Sequence, residues 1–414
     1  MKISQHMFSF CLGMVTLSHG LIAEKIERLT PPILTSSTID QKITCTRPMR
    51  EGKFNISAEQ QEDKVLVHCY GHGGSGCTTS WGSVFKAIDL YEKNFTVAKD
   101  TPIRVIGAGI IGLTTAIELT RMGYTVAGIT AKELYEIPSW KNAGYFALVS
   151  VKTDPVEQKN LDDIGVATFL EYKKISDGTH PYISSDCARF IPVYASEETD
   201  AGVEDLEQKG LIPPRELVTL DFGNGVRHPN FVKFMTYFMD TTRVMLQLRQ
   251  EVDRLGIPIE NKELTSFGEI AESVVFNCSG LGGKKLNSDN QMIAVRGHLA
   301  NLNAEAGSEH MEYMIYTKVK NPDGTEAHVY MFPKCLQVTE ATPLGHIVYG
   351  TLGGTFIPGT DNMTKEQLEK LDKKEFKKLL DRNSLFFWGK PFKEHKFFKQ
   401  KPPIKQKKNT ETSE

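Results

Sequence analysis

The sequence predicts an α/β chain, and three observations carry that expectation. A short β-branched run, Ile103-Arg104-Val105-Ile106, leads straight into Gly107-Ala108-Gly109-Ile110-Ile111-Gly112. A helical apolar pattern through Leu119 follows, and then an apolar run from Gly123 to Ile129. The glycines therefore sit in the strand–turn–helix–strand context of a Rossmann-like dinucleotide unit. A second glycine-rich loop, Gly71-His72-Gly73-Gly74-Ser75-Gly76, stands upstream, also between an apolar run and a helical pattern.

The ends and the composition bound the rest. A chain of 414 residues suggests two or three packed units, on a prior of roughly 150 residues per domain. A hydrophobic fraction of 40% and a charged fraction of 24% are ordinary for a globular protein with a sizeable core. The net charge of −2 gives no pull toward nucleic acid or an anionic membrane. Lys2, an apolar run from Met7 to Ala23, and then Glu24, Lys25 and Glu27 read as a secretory signal peptide over residues 1–23. The expected location is then secreted or periplasmic. If the run is an uncleaved first helix, the location is cytoplasmic. No later segment is long and apolar enough to cross a bilayer, so no stable membrane insertion is expected. Cys45, Cys69, Cys77, Cys187, Cys278 and Cys335 show no zinc-like spacing, so no metal is expected, and their scatter leaves disulfides open. The lysine-rich end, 391–414, reads as a flexible tail.

Along the chain, Val65-Leu66-Val67 is a buried-strand pattern. Glycines at the density of the loop that follows let backbone approach a ligand and present N–H groups to it. From Cys77 to Lys93, the spacing of Trp81, Val84, Phe85, Ile88, Leu90 and Tyr91 suits a helix. Its N-terminus would face the loop and favour negative charge. In the second loop, Gly107 makes the tight turn, Gly109 admits a pyrophosphate, and Gly112 lets helix pack on strand. The next strand should end in Asp or Glu to hold a ribose. Thr130-Ala131-Lys132 stands there instead, followed by Glu133. Either Glu133 substitutes or backbone and water hold the ribose, which weighs against NAD more than against FAD.

Taken together, the motifs resemble the D-amino-acid oxidase family, including D-aspartate oxidase. The matching stretches are Thr46-Arg47-Pro48-Met49-Arg50, His68 to Gly76 with Trp81-Gly82, Val105 to Gly109, Phe276 to Gly282, Val295-Arg296-Gly297 and Thr351 to Thr355. They span about Ile43 to Phe392. In the family the arginine-proline segment and the first of these glycine loops close the chain; here they open it. That order resembles a circular permutation, with Asn94 to Thr101 as the joint; eight extended residues reach about 25 Å. The organisation expected is a leader (1–23), a permuted segment carrying the Arg-Pro motif (24–63), and an FAD-binding domain with both glycine loops (64–150). A substrate domain (151–390), interleaved with FAD-binding segments at about 228–297, and the tail complete it.

The resemblance implies an FAD-binding Rossmann-like domain plus a substrate domain with a mostly antiparallel sheet. It implies oxidative deamination of D-amino acids to imino and keto acids, ammonia and hydrogen peroxide, with oxygen or another electron acceptor completing the cycle. Arg47 would grip the substrate carboxylate, since a guanidinium fork makes two parallel hydrogen bonds. Tyr330 would touch the same carboxylate, and Tyr316 would be the mobile active-site tyrosine. The Gly74 carbonyl would accept from the substrate amine. FAD would lie against Gly107, Ala108, Gly109, Ile110, Ile111 and Gly112, with Gly73, Gly74, Ser75, Gly76, Cys77 and Thr78 along the flavin. Asn142-Ala143-Gly144-Tyr145-Phe146 would cover the flavin's other side. Cys69, Val84 and His298 depart from the family's usual residues, and Val84 adds volume at a helix–sheet contact. An acidic substrate would need further cations, with His228 and Lys334 as candidates. A homodimer is compatible with the sequence. The alternatives are a glycine or N-methyl amino acid oxidase, a dehydrogenase of the same family, or a non-catalytic flavoprotein fold.

Overall fold

The computed structural model describes residues 25–135, 137–142, 144–148, 155–199, 201–308, 311–321, 324–334 and 349–392. The leader, Ala143, Cys335 and the tail from 393 onward lie outside them.

Short apolar runs become central strands because both faces of a parallel sheet are covered. Lys64–Tyr70 is buried from Val65 onward, and Val274–Asn277 is buried throughout. A six-stranded sheet runs in the order Ile259–Asn261, Val126–Ala131, Ile103–Ile106, Val274–Asn277, Lys64–Tyr70, Asn55–Gln61. Its first five strands are parallel; Asn55–Gln61 closes the edge antiparallel. The edge strand is also the polar one, as an edge facing water should be. Val274–Asn277 lies between the strands that lead into the two glycine loops: Val274 pairs with Val65 on one side and Ile103 on the other.

Helices cover this sheet. Ser80–Asn94 buries Trp81, Val84, Ile88 and Tyr91 along one stripe. The Trp81 indole N–H donates to Tyr182 (2.9 Å), whose hydroxyl donates to Glu118 (2.5 Å), so these two buried polar groups are paired. Val84, the bulky departure, is fully buried in the main core. The strand expected from Gly123 begins only at Val126. Gly123 has φ +86° and belongs to the turn that leaves helix Ile110–Arg121.

The ten-stranded sheet is mostly antiparallel. Two of its pairings are parallel: Ile26–Arg28 with Glu216–Asp221, and Met314–Lys320 with Ala188–Ser196. Ile39–Arg50 lies along Met292–Leu302, with Arg47 opposite Val295. Met314–Lys320 and Glu326–Pro333 form a hairpin in which Tyr316 faces Tyr330 and Lys318 faces His328. Helix Lys365–Trp388 opens on a Thr364/Gln367 capping box and packs on this sheet. Arg296 clamps it through Asp372 (2.7 and 2.6 Å), and His298 joins at 2.9 Å. His298 thus ties helix to strand, which accounts for an imidazole at that position.

Gly112 supports the whole loop–helix junction. A Cβ there would stand 1.9 Å from the Gly107 carbonyl oxygen. Gly112→Ala should therefore cost on the order of 1–3 kcal/mol, the usual penalty for overpacking. Urea denaturation of the apo-protein measures it; an unchanged midpoint would mean the helix slides away freely.

Candidate active site

Both glycine loops open onto one cavity of about 1030 Å³. Gly73 to Thr78 and Gly107 to Ile111 line it; Gly112 does not. Gly107 has φ +103°, and a Cβ there would meet the Cys278 carbonyl oxygen at 2.4 Å. The turn is tight because a parallel strand end passes beside it. A Cβ on Gly109 would meet only side-chain atoms, the nearest at 3.3 Å, so this is the open face of the loop. Helix Ile110–Arg121 points its N-terminus into the cavity without a side-chain cap at Gly109, and the Ile110 N–H donates to Ser139 Oγ (3.1 Å). Past the second strand, Thr130 donates to Glu260 (3.3 Å) and Lys132 pairs with Glu263 (3.0 Å). Glu133 is exposed and lines the cavity at this end.

The first loop is tied to the arginine strand through backbone. Gly73 N–H donates to the Pro48 carbonyl (2.8 Å), and Arg50 N–H to the Gly71 carbonyl (3.1 Å). His72, between them, is buried, stacks on Phe54 at 4.5 Å, and bonds Ser83 Oγ at 3.1 Å. Burial pushes its pKa down to about 3, so the ring is neutral at physiological pH. Beyond the loop, Asn142 Nδ2 donates to Cys77 Sγ (2.8 Å). Gly144 is clamped on the end of strand Arg227–Met239: it has φ +90°, and a Cβ would lie 1.9 Å from the Met239 carbonyl oxygen.

At the other end stands Arg47. Its Nη1 donates to the Thr355 carbonyl (3.1 Å), and its guanidinium lies 5.8 Å from the Phe356 ring centroid. Among the described residues no carboxylate pairs with it. The guanidinium crosses directly over Gly297, where a Cβ would stand 2.6 Å from Nη1. Tyr330 crosses Gly353 in the same way, with a Cβ at 1.8 Å from the ring. Burial pushes the Tyr330 hydroxyl up to about 12, offset in part by hydrogen bonds from Arg47 and the Gly354 N–H, so it keeps its proton. The Gly74 backbone packs against Arg47, 3.4 Å from its Cδ to an ideal Cβ. Arg47, Tyr330, Tyr316 and Gly74 thus line one end of one cavity.

Three lining residues, Phe332, Lys318 and His328, were not legible as such in the sequence, whereas Tyr145, Tyr316 and Tyr330 were. Tyr145 stacks between Tyr316 (5.1 Å) and Phe332 (5.6 Å), and Phe332 stacks on Tyr330 (5.0 Å), making a continuous aromatic wall. Lys318 and His328 line the same end. The alternation Tyr316, Lys318 and His328, Tyr330, Phe332 is the signal that puts them on one face. The two cations named from sequence lie elsewhere. His228 stacks on Phe386 at 4.3 Å and bonds its carbonyl at 2.9 Å, away from the cavity. Lys334 is buried beside the cavity wall, donating to the Asn142 carbonyl (3.1 Å) near Asp240.

The cavity fits a flavin dinucleotide on its own geometry. A Cβ-free face at Gly109, a helix N-terminus whose N-cap glycine offers no side chain, and Asn142 Oδ1, buried without a partner among the described residues, all belong to its lining. Residues 103–389 match the model of the DAO family, the FAD dependent oxidoreductases. The chain belongs to that family. FAD is the cofactor of that family. Similar solved structures include the fructosyl amine:oxygen oxidoreductase Amadoriase I of Aspergillus fumigatus, at 15% identity and a TM-score of 0.39, covering 63% of this chain and 64% of that one. Another is the L-amino acid deaminase of Proteus vulgaris, at 12% identity and a TM-score of 0.36, covering 57% and 62%. The chain thus spans less than two thirds of the length of each of these proteins. The first glycine loop and Arg47 lie outside the matched residues, yet they share the cavity with the second loop.

Burial of a neutral His72 should make the protein acid-sensitive. Its pKa is depressed from 6.5 to about 3 in the folded state, so the unfolded state binds the extra proton as pH falls from 6.5. Stability should drop by roughly 1.4 kcal/mol per pH unit from this group across that window. His180, pushed down to about 4 by burial, steepens the same slope. His72→Gln should flatten the dependence; denaturation at pH 7, 6 and 5 is the measurement, and an unaltered slope would refute the assignment.

Proposed function

We propose that this protein oxidises D-amino acids with FAD, giving the imino acid, then the keto acid and ammonia, with oxygen taking the electrons as hydrogen peroxide. The observation that carries this reading is Arg47: a cation with no carboxylate partner among the described residues, held over Gly297 and joined to the Tyr330 hydroxyl at the end of a cavity whose other end suits a dinucleotide. A planar fork of N–H donors beside a tyrosine hydroxyl is a carboxylate clamp.

Each residue has one task in this reading. Arg47 makes two parallel bonds to the substrate carboxylate, and Tyr330 donates a third. The Gly74 carbonyl accepts from the amine, on the same side as the first glycine loop. The wall of Tyr145, Tyr316 and Phe332 excludes water and packs the substrate side chain. When bound, FAD supplies the two-electron acceptor for the hydride from the α-carbon. No side-chain base is required if the amine arrives neutral, since nitrogen's lone pair then drives hydride departure. The preference for the D form comes from the family resemblance of the motifs.

The same reading takes the chain as a circular permutation. Lys64–Tyr70, outside the matched residues, sits beside Val274–Asn277 in the six-stranded sheet, and its loop completes the cavity. This supports a chain whose original end now comes first.

Two measurements test it. Anaerobic addition of D-amino acids to the FAD-loaded protein should bleach the flavin absorption, and the L forms should not; bleaching only by glycine or N-methyl amino acids would replace the reading with that of a related amine oxidase. Arg47→Met should weaken carboxylate binding by about 1.5–3 kcal/mol, the range for hydrogen bonds to charged groups. Titration of the flavin spectrum with substrate reads this out, and wild-type affinity in the variant would remove Arg47 from the site.

A further inference from the structure

The net charge of −2 is unevenly placed along this chain. Helix Lys365–Trp388 buries Leu379, Leu380 and Phe387 in the core of the ten-stranded sheet and turns its other face to solvent. On that outer face stand Lys370, Lys373, Lys374 and Lys377, all exposed. Spacings of three and four residues put them in one stripe of roughly two turns. Nearby acids are taken: Glu369 pairs with Lys365, Glu375 with Lys378 and Asp372 with Arg296, and among the described residues none of the four lysines has an ion pair.

Other surface helices handle lysine differently. Lys93 pairs with Asp89, Lys159 with Asp163 and Lys173 with Asp177, each four residues away. Such pairs support a helix, whereas like charges at the same spacing weaken it. Within the stripe, Lys370 neighbours Lys373 and Lys374, and Lys377 neighbours the same two. Glu366 and Asp381 stand one turn beyond its two ends. Folding gains nothing from this arrangement, so it suits an anion from outside the chain.

Two further features say which anionic surface fits. Apolar side chains flank the stripe: Met363, just before N-cap Thr364, is 38% exposed, and Leu385, on the last turn, is 36% exposed. From Lys390 to Lys408 the sequence adds eight lysines against Glu394 alone, with Phe397-Phe398 among them. Ammonium groups beside exposed apolar side chains suit the headgroup layer of an anionic bilayer, where both find partners at one depth. A nucleic-acid surface would favour the planar fork of arginine, and the stripe has none. Arg382, on the same helix, is buried and donates to the Gly354 carbonyl (3.4 Å). We infer that the outer face of helix Lys365–Trp388 docks on anionic lipid bilayers, with Lys370, Lys373, Lys374 and Lys377 as its electrostatic contact. The contact is peripheral and screened by salt.

Co-sedimentation of the full FAD-loaded chain with lipid vesicles tests this. Vesicles of equal parts phosphatidylserine and phosphatidylcholine should carry the protein down; vesicles of phosphatidylcholine alone should not. Binding should fall steeply as salt rises from about 0.1 M to about 1 M, where the screening length shrinks from about 10 Å to about 3 Å. Joint replacement Lys370→Gln, Lys373→Gln, Lys374→Gln and Lys377→Gln should lower vesicle affinity at least on the order of 10-fold. The corresponding four arginine replacements keep the charge and should bind as the wild type does. The lysines are exposed, so the glutamine variant keeps its fold, which its urea midpoint checks. Failure to sediment with the phosphatidylserine vesicles overturns the proposal, as does equal sedimentation with both vesicle types. Wild-type affinity in the glutamine variant removes this helix face from the contact. Tighter binding to duplex DNA than to the phosphatidylserine vesicles overturns the proposal in favour of a nucleic-acid surface.

Discussion

The site depends on a short stretch of backbone pairing between two segments that carry different tasks. Gly73 N–H to the Pro48 carbonyl and Arg50 N–H to the Gly71 carbonyl fasten the first glycine loop to the strand bearing Arg47. Neutral His72, packed on Phe54, is enclosed at this junction. The loop belongs to the six-stranded sheet and the arginine to the ten-stranded one. Their pairing makes a single cavity out of two sheets, with the distance between the second glycine loop and Arg47 set by backbone rather than by flexible side chains. Such rigidity is what hydride transfer requires of a protein, because the cofactor does the chemistry and the chain supplies position.

Glycine serves three separate purposes around this cavity. At Gly107 and Gly144 a positive φ turns the chain where a carbonyl oxygen leaves no room for Cβ. At Gly112 the helix itself comes too close. At Gly297 and Gly353 the conformation is ordinary, and the space is taken by the Arg47 guanidinium and the Tyr330 ring. The last pair acts in a way that backbone angles would not reveal: the Arg47 guanidinium and the Tyr330 ring lie flat across strand positions that have no side chains of their own to lift them away.

Charge divides the cavity. The dinucleotide end mixes Lys132, Glu133 and Glu263 with a helix N-terminus. The amino-acid end holds Arg47, Lys318 and a neutral imidazole against an aromatic wall. Among the described residues no carboxylate pairs with Arg47 or Lys318, and a partly buried cation without an anion is costly unless a ligand supplies one.

Much of this was legible locally. Glycine spacing between a strand and a helix is a short-range signal, and it marked both loops, the strand Ile103–Ile106 and the helix that follows. The start of the next strand was misplaced because Gly123 to Thr125 are apolar enough to read as strand while a positive φ at Gly123 makes them turn. Cation assignment shows where local reading ends. His228 and Lys334 were as plausible as Lys318 and His328, since each is a basic residue near an apolar run. Sequence alone determined the residue types, the loops and the periodicity, because those depend on neighbours a few positions away. Only the tertiary structure decided that Arg47 crosses Gly297, that Tyr330 crosses Gly353, and that Lys318 rather than Lys334 faces the cavity, because strand register between distant segments chooses which side of a sheet each side chain occupies.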